Sequence, residues 1–104
     1  MTDVYIAKTM NSVSLSIRNH CKNRDVCLSI SALANALCQY TDVFRDEQGG
    51  LRVDRLHYER GNVELFVRGA PKIISEYVKT ARAIWIGFEL YAENYPDDVR
   101  VTFR

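Results

Sequence analysis

Apolar residues recur at every second position in two stretches of the chain. In SVSLSIR (12–18) the side chains of Val13, Leu15 and Ile17 alternate with serines, and in NVELFVR (62–68) Val63, Leu65 and Val67 share a face. A period of two places the apolar residues on one face of a half-buried strand. Less regular runs predict three further strands and two hairpin turns: strands at DVYIAK (3–8), LRVDRLHYE (51–59) and DVRVTF (98–103), and turns at TMNS (9–12) and Arg60-Gly61.

The apolar spacing becomes helical in two other segments. One helix is predicted from Val26 to Tyr40 or a little beyond, with Asp25 at the N-cap position. The turn sequence DEQGG (46–50) follows it. The second helix begins at Pro71, because proline is tolerated in a first turn, and ends before Pro96, because proline cannot continue a helix.

The predicted order ββαββαβ indicates an α+β fold of two layers, a mainly antiparallel five-stranded sheet packed with two helices. A chain of 104 residues has room for one modest core, so residues 1–104 are predicted to form a single domain.

Composition and charge narrow the possible partners. The formal net charge of +1 gives no general attraction to nucleic acid or to an anionic membrane, and Lys and Arg are dispersed rather than clustered with aromatic residues. No apolar run approaches the ~20 residues of a membrane span, and MTDVYIAKTM lacks the apolar core of a signal peptide. The three cysteines are an odd number, which predicts reduced thiols in a cytoplasmic protein.

The segment NHCKNRDVC (19–27) carries the candidate chemistry. Cys27 falls in the first turn of the predicted helix, where free N–H groups and the helix dipole favour an anion such as a thiolate. The loop from His20 to Cys27 is short enough for the imidazole of His20 to lie next to the thiol and act as its base. Asp25 is placed to orient the imidazole or to cap the helix. Ser31, one turn after the cysteine, is placed to hold a substrate carbonyl or a water.

Simpler interpretations of these residues stay open. Cysteine is among the most buried residue types, so Cys27 could be a small core residue, as we expect for Cys38. His20, Cys21 and Cys27 lack the spacing of a zinc site and no second cluster follows, so we expect no zinc site. A reversible disulfide between Cys21 and Cys27 would instead indicate redox sensing.

Two blocks of the sequence resemble one known family. VCLSISAL (26–33) is similar to the nucleophile segment V-C-x-x-[VI]-S-A-L of the ribosomal-processing cysteine proteases, and NHC (19–21) stands in the place of that family's G-H-A histidine. FELYAENYPDDVRVTF (88–103) resembles the family's closing segment, in which an aromatic-Pro pair separates the last helix from a final strand.

The resemblance implies a small homodimeric cysteine endopeptidase that needs no metal or cofactor. Family members trim the N-terminal extension of a large-subunit ribosomal protein after an aromatic residue, and phage structural proteins are processed in the same way. Carried over by position, Cys27 is the nucleophile, His20 the general base and Ser31 the residue that assists substrate placement.

Three features depart from the family pattern. Asn19 and Cys21 flank His20, where the family has Gly and Ala. The loop to the nucleophile is several residues shorter and has lost its glycines. Arg24 stands where the family usually has an aspartate, with Asp25 displaced by one position. Because the cysteine, histidine and serine are all present, we expect an active protease of altered specificity. The alternative is a catalytically lapsed module that binds a peptide at an edge strand.

The second helix has two apolar residues on the side away from its broad apolar face. Ile86 and Leu90 form an i, i+4 pair there, with Gly87 beside them. A glycine lets another backbone approach closely. We therefore expect Ile86, Gly87 and Leu90 to contribute to a homodimer contact.

Overall fold

The computed structural model describes residues 1–59 and 61–104, and its elements follow the predicted order. They are β1 (Thr2–Lys8), β2 (Ser12–Arg18), α1 (Arg24–Gln48), β3 (Arg52–Glu59), β4 (Asn62–Arg68), α2 (Pro71–Asn94) and β5 (Val99–Phe103). The strands form one sheet in the order β3-β4-β2-β1-β5, with β1 and β5 parallel and the other neighbours antiparallel. This confirms the α+β fold. Of the predicted turn at Arg60-Gly61, Arg60 lies outside the described residues.

The first helix is longer at both ends than its apolar stripe predicts. It begins at Arg24 rather than Val26, and it runs through the predicted turn to Gln48. Gly49 and Gly50 alone make the turn, both with a positive φ, and the Gly49 N–H donates to Arg45 O. The second helix begins at Pro71 and ends before Pro96, as the prolines predict.

Both helices lie on the face of the sheet that carries the alternating apolar residues. Those of β1, β2 and β4 are at most 4% exposed: Val4, Ile6, Val13, Leu15, Ile17, Val63, Leu65 and Val67. The serines between them are half-buried on the opposite face. The core therefore lies between two layers, the sheet and the pair of helices. No described helix is long and apolar enough to cross a membrane.

Gly87 makes its close contact within the chain. A Cβ at this position would lie 3.1 Å from Cδ1 of Leu33 on α1, so the glycine lets α1 and α2 approach each other. Ile86 and Leu90 are 49% and 51% exposed, as predicted for the outer side of α2. Leu33 thus fills the space beside Gly87. The predicted dimer contact of Ile86, Gly87 and Leu90 stays a prediction.

Candidate active site

The two residues predicted for catalysis come together where β2 ends and α1 begins. His20 is exposed in the loop between these elements, whereas Cys27 is only 8% exposed in the first turns of α1. Cys27 Sγ lies 3.6 Å from Nδ1 of His20, within hydrogen-bonding distance for sulfur. The thiol and the imidazole are therefore adjacent, as a nucleophile and its base must be.

The residue before His20 anchors the loop. Asn19 has a φ of 72°, a left-handed conformation that asparagine tolerates better than most residues. Its N–H donates to Gly61 O at 3.1 Å, and its carbonyl accepts from Thr2 Oγ1 at 3.2 Å. Its side-chain amide donates to Asp3 Oδ2 at 3.3 Å. Strand β1 and the β3–β4 turn thus hold the backbone that leads into His20.

Asn23, and not Asp25, caps α1. The Asn23 side chain accepts from the N–H groups of Asp25 and Val26 at 3.1 and 3.3 Å, and the Cys27 N–H donates to Asn23 O at 3.0 Å. The capping prediction for Asp25 was wrong because the helix begins two residues earlier. Among the described residues, the Asp25 carboxylate makes no hydrogen bond to the imidazole of His20. Its predicted orienting role is thus without a contact in this structure.

Ser31 lies next to Cys27 and is half-buried. Both residues line a cavity of about 10 Å³ between α1 and the sheet, which is the room of a single water. The carbonyl of Ser31 accepts a hydrogen bond from Tyr58 Oη on β3 at 3.0 Å. Tyr58 thereby ties this turn of α1 to the edge strand.

An open cleft lies beside the candidate catalytic pair. It has a volume of about 390 Å³ and is lined by His20, Cys21, Lys22, Arg24 and Cys27. The ammonium and the guanidinium place positive charge at the cleft, which favours negative charge on a group bound there.

A larger groove lies at the opposite end of the β1–β2 hairpin. Its volume is about 530 Å³, and it runs between the hairpin turn and α2 past Lys8, Met10 and Ile74. Its lining contains neither a cysteine, a histidine nor a carboxylate. We place the site at the smaller cleft because a nucleophile and a base meet there.

The other two cysteines behave differently from Cys27. Cys38 is 4% exposed in the core, and burial, reinforced by the charge of Asp42, raises the pKa of its thiol. It is a small apolar core residue, as predicted. Cys21 is half-buried and donates from Sγ to Asn23 O at 3.3 Å. All three cysteines are free, and no group of three metal-ligating side chains is found in residues 1–59 and 61–104.

Sequence reasoning missed Gly61, which lies against the imidazole of His20. The pattern identified it only as part of a hairpin turn. Its contact with His20 depends on β2 and β4 pairing side by side, with Arg18 opposite Asn62. Nothing in the local sequence of either segment signals this pairing.

The chain was compared with known proteins at three levels. No family model matches the sequence, and no curated protein does. Solved structures do match over the whole chain. The ribosomal processing protease Prp of S. aureus, in complex with a covalently linked product peptide, has a TM-score of 0.67 at 16% identity, and 100% of each chain is covered.

Two further structures agree. Prp of S. aureus in complex with a substrate peptide gives a TM-score of 0.63 at 16% identity, again over 100% of both chains. SMU.848 from Streptococcus mutans gives 0.66 at 20% identity, over 99% of this chain and 93% of that one. Identities this low establish a common fold and nothing finer. This chain therefore has the fold of the ribosomal processing protease Prp.

Proposed function

We propose that this chain is a cysteine endopeptidase in which Cys27 is the nucleophile and His20 the general base. The observation that carries the proposal is the 3.6 Å distance between Cys27 Sγ and His20 Nδ1 beside an open cleft. A proton can pass between groups so placed, and catalytic distances commonly shorten further when substrate binds.

The reaction proceeds in two stages. His20 takes the thiol proton, and the Cys27 sulfur attacks the carbonyl carbon of the scissile peptide bond. The resulting oxyanion collapses, the C–N bond breaks, and His20 returns the proton to the leaving amine. Water, deprotonated by His20, then hydrolyses the thioester and frees Cys27. Lys22 and Arg24 at the cleft favour the negative charge that forms at both stages.

The proposed substrate is a polypeptide cut after an aromatic residue. The candidates are the N-terminal extension of a large-subunit ribosomal protein and a phage structural protein. The resemblance at residues 26–33 supports this class, and so do the substrate and product peptides in the structures of S. aureus Prp, whose fold this chain shares. The chemistry needs no metal or cofactor, and it suits the cytoplasm, where thiols stay reduced.

Ser31 and Asp25 have supporting roles in the proposal. Ser31 lines the same small cavity as Cys27 and would help to place the substrate. Asp25 is exposed in the first turn of α1, and a rotation of its side chain would be needed to orient His20.

Cleavage of a peptide tests the proposal. We expect wild type to cut a peptide that spans an aromatic cleavage sequence, and Cys27→Ser to lose at least about a thousandfold in rate, as when a covalent nucleophile is removed. Cys38→Ala, which removes a core thiol of the same helix, is the control and keeps the activity. If wild type binds the peptide in a fluorescence titration but never yields product, the chain is a peptide-binding module instead.

A further inference from the structure

The turn between β3 and β4 lies directly against the imidazole of His20. An added Cβ on Gly61 would lie 2.5 Å from Cε1 and 2.8 Å from Cδ2 of His20, and closer still to Nε2. Distances below 3.0 Å do not occur for real Cβ atoms, so no side chain fits while the ring keeps this position. The ring occupies the space that every residue other than glycine would fill.

The edge of the His20 ring that carries Nδ1 faces the thiol, and the opposite edge faces Gly61. Nδ1 lies 3.6 Å from Cys27 Sγ, whereas Nε2 is the ring atom nearest to the missing Cβ. In catalytic dyads a third polar group often orients the base by a hydrogen bond. In the described part of this chain no carboxylate bonds to the ring, so the backbone of the turn is what the ring rests on.

Strand pairing holds this backbone in place. The Asn19 N–H donates to Gly61 O at 3.1 Å, and the neighbouring Arg18 pairs with Asn62 across β2 and β4. Gly61 is therefore tied to the backbone of the loop that carries His20.

We propose that Gly61 is a positioning residue of the site, whose missing side chain lets the imidazole lie against the turn with Nδ1 towards Cys27. The inference rests on the proposed function, in which His20 is the base. It assigns a role to a residue whose added Cβ would meet the His20 ring first, and that acts through this ring.

Substitution of Gly61 separates this role from a structural one. The atoms that a new Cβ would meet are at the far end of a side chain, so the ring moves and the fold adjusts little. Gly61 also has a φ of 78°, which strains any L residue. Gly49 has a φ of 71° and a ψ of 178°, a backbone conformation that essentially only glycine adopts, and nothing lies within 4 Å of its Cβ position, so Gly49→Ala strains the backbone without the contact.

The experiment compares Gly61→Ala with Gly49→Ala. We expect both variants to lose thermal stability, because alanine is strained at a positive φ. Alkylation of Cys27 near pH 7 should slow by about tenfold in Gly61→Ala, the scale on which a positioned histidine changes thiolate reactivity, and by less than about twofold in Gly49→Ala. Gly61→Ala/His20→Ala should react no more slowly than His20→Ala alone, because Gly61 acts only through the ring.

Each contrary result has a separate meaning. If Gly61→Ala reacts like wild type while His20→Ala is slow, Gly61 does not position the base and the proposed function stands. If His20→Ala itself reacts like wild type, the proposed function is wrong. Should Gly61→Ala fail to fold, Gly61→Asn is compared with wild type instead, because asparagine tolerates a positive φ but carries the same Cβ. An alkylation rate of Cys27 in Gly61→Asn equal to that in wild type overturns the inference.

Discussion

Asn19 combines a turn conformation with an anchoring side chain just before His20. It adopts the left-handed conformation, with a φ of 72°, which glycine and asparagine tolerate better than other residues. Its side chain also makes a hydrogen bond to Asp3 that glycine could not make. Asn19 therefore fixes the backbone that leads into His20.

At the scale of single residues, local sequence predicted that Cys27 and His20 lie side by side but not what surrounds them. Cys27 and His20 were predictable because a helix N-terminus and a short loop limit how far apart they can lie. Gly61 and Tyr58 were not, because each reaches the site from the β3–β4 hairpin. Asp25 was assigned to the cap because Asn23, the better-placed residue, precedes the apolar stripe by three positions.

At the scale of elements, a buried polar cluster links the two helices. Thr41 donates to Leu37 O at 2.8 Å, so the hydroxyl of Tyr77 on α2 donates to Thr41 Oγ1 at 2.7 Å. Tyr40 donates to Tyr77 O at 2.8 Å and stacks on its ring. Thr41 is polar yet fully buried, which is why the apolar pattern alone did not predict that α1 continues so far past Tyr40.

Alkaline pH should weaken this contact between the helices. Burial raises the pKa of Tyr77 well above the ordinary value of about 10, although the hydrogen bond to Thr41 opposes the shift. The contribution of Tyr77 to the free energy of unfolding is complete below pH ~10. Above that pH the unfolded chain releases the tyrosine proton while the folded chain keeps it, so the contribution is lost as the pH rises. We expect the free energy of unfolding to fall by up to about 1.4 kcal/mol per pH unit from this residue.

Urea unfolding between pH 8 and pH 11 (a range set by the ordinary tyrosine value of about 10) measures the effect. Tyr77→Phe lacks the hydrogen bond to Thr41, so its free energy of unfolding at pH 8 should be about 1 kcal/mol lower than that of wild type. As the pH rises, this free energy should fall less in Tyr77→Phe than in wild type. If the free energies of unfolding of the two proteins declined in parallel, the pKa of Tyr77 would not differ between the folded and the unfolded chain, and the prediction would be wrong.

At the scale of the whole molecule, the order of elements was predictable and the order of strands was not. Period-two alternation located β2 and β4 at their observed bounds, because both strands bury one face in the centre of the sheet. The sheet order β3-β4-β2-β1-β5 depends instead on α2 returning the chain so that β5 pairs in parallel with β1. That pairing joins the two ends of the chain, and no local pattern encodes it.

The outer side of α2 predicts self-association. Ile86 and Leu90 are each about half exposed, and we expect them to be covered by a second copy of the chain. Leu90→Glu should then halve the molar mass measured by light scattering. Val43→Glu is the matched control, because Val43 is an apolar helix residue of 50% exposure on α1. A monomeric wild type, or a mass that Leu90→Glu leaves unchanged, would contradict the dimer.

The central claim is that His20 activates Cys27, and the alkylation rate of each cysteine tests it most directly. Wild type and His20→Ala are treated with iodoacetamide across a range of pH, and mass spectrometry locates the modified residues. We predict that Cys27 reacts fastest in wild type and about tenfold more slowly near pH 7 in His20→Ala. Cys38 should stay unreactive in both, because it is buried and the pKa of its thiol is raised. Equal rates for Cys27 in the two proteins would contradict the account.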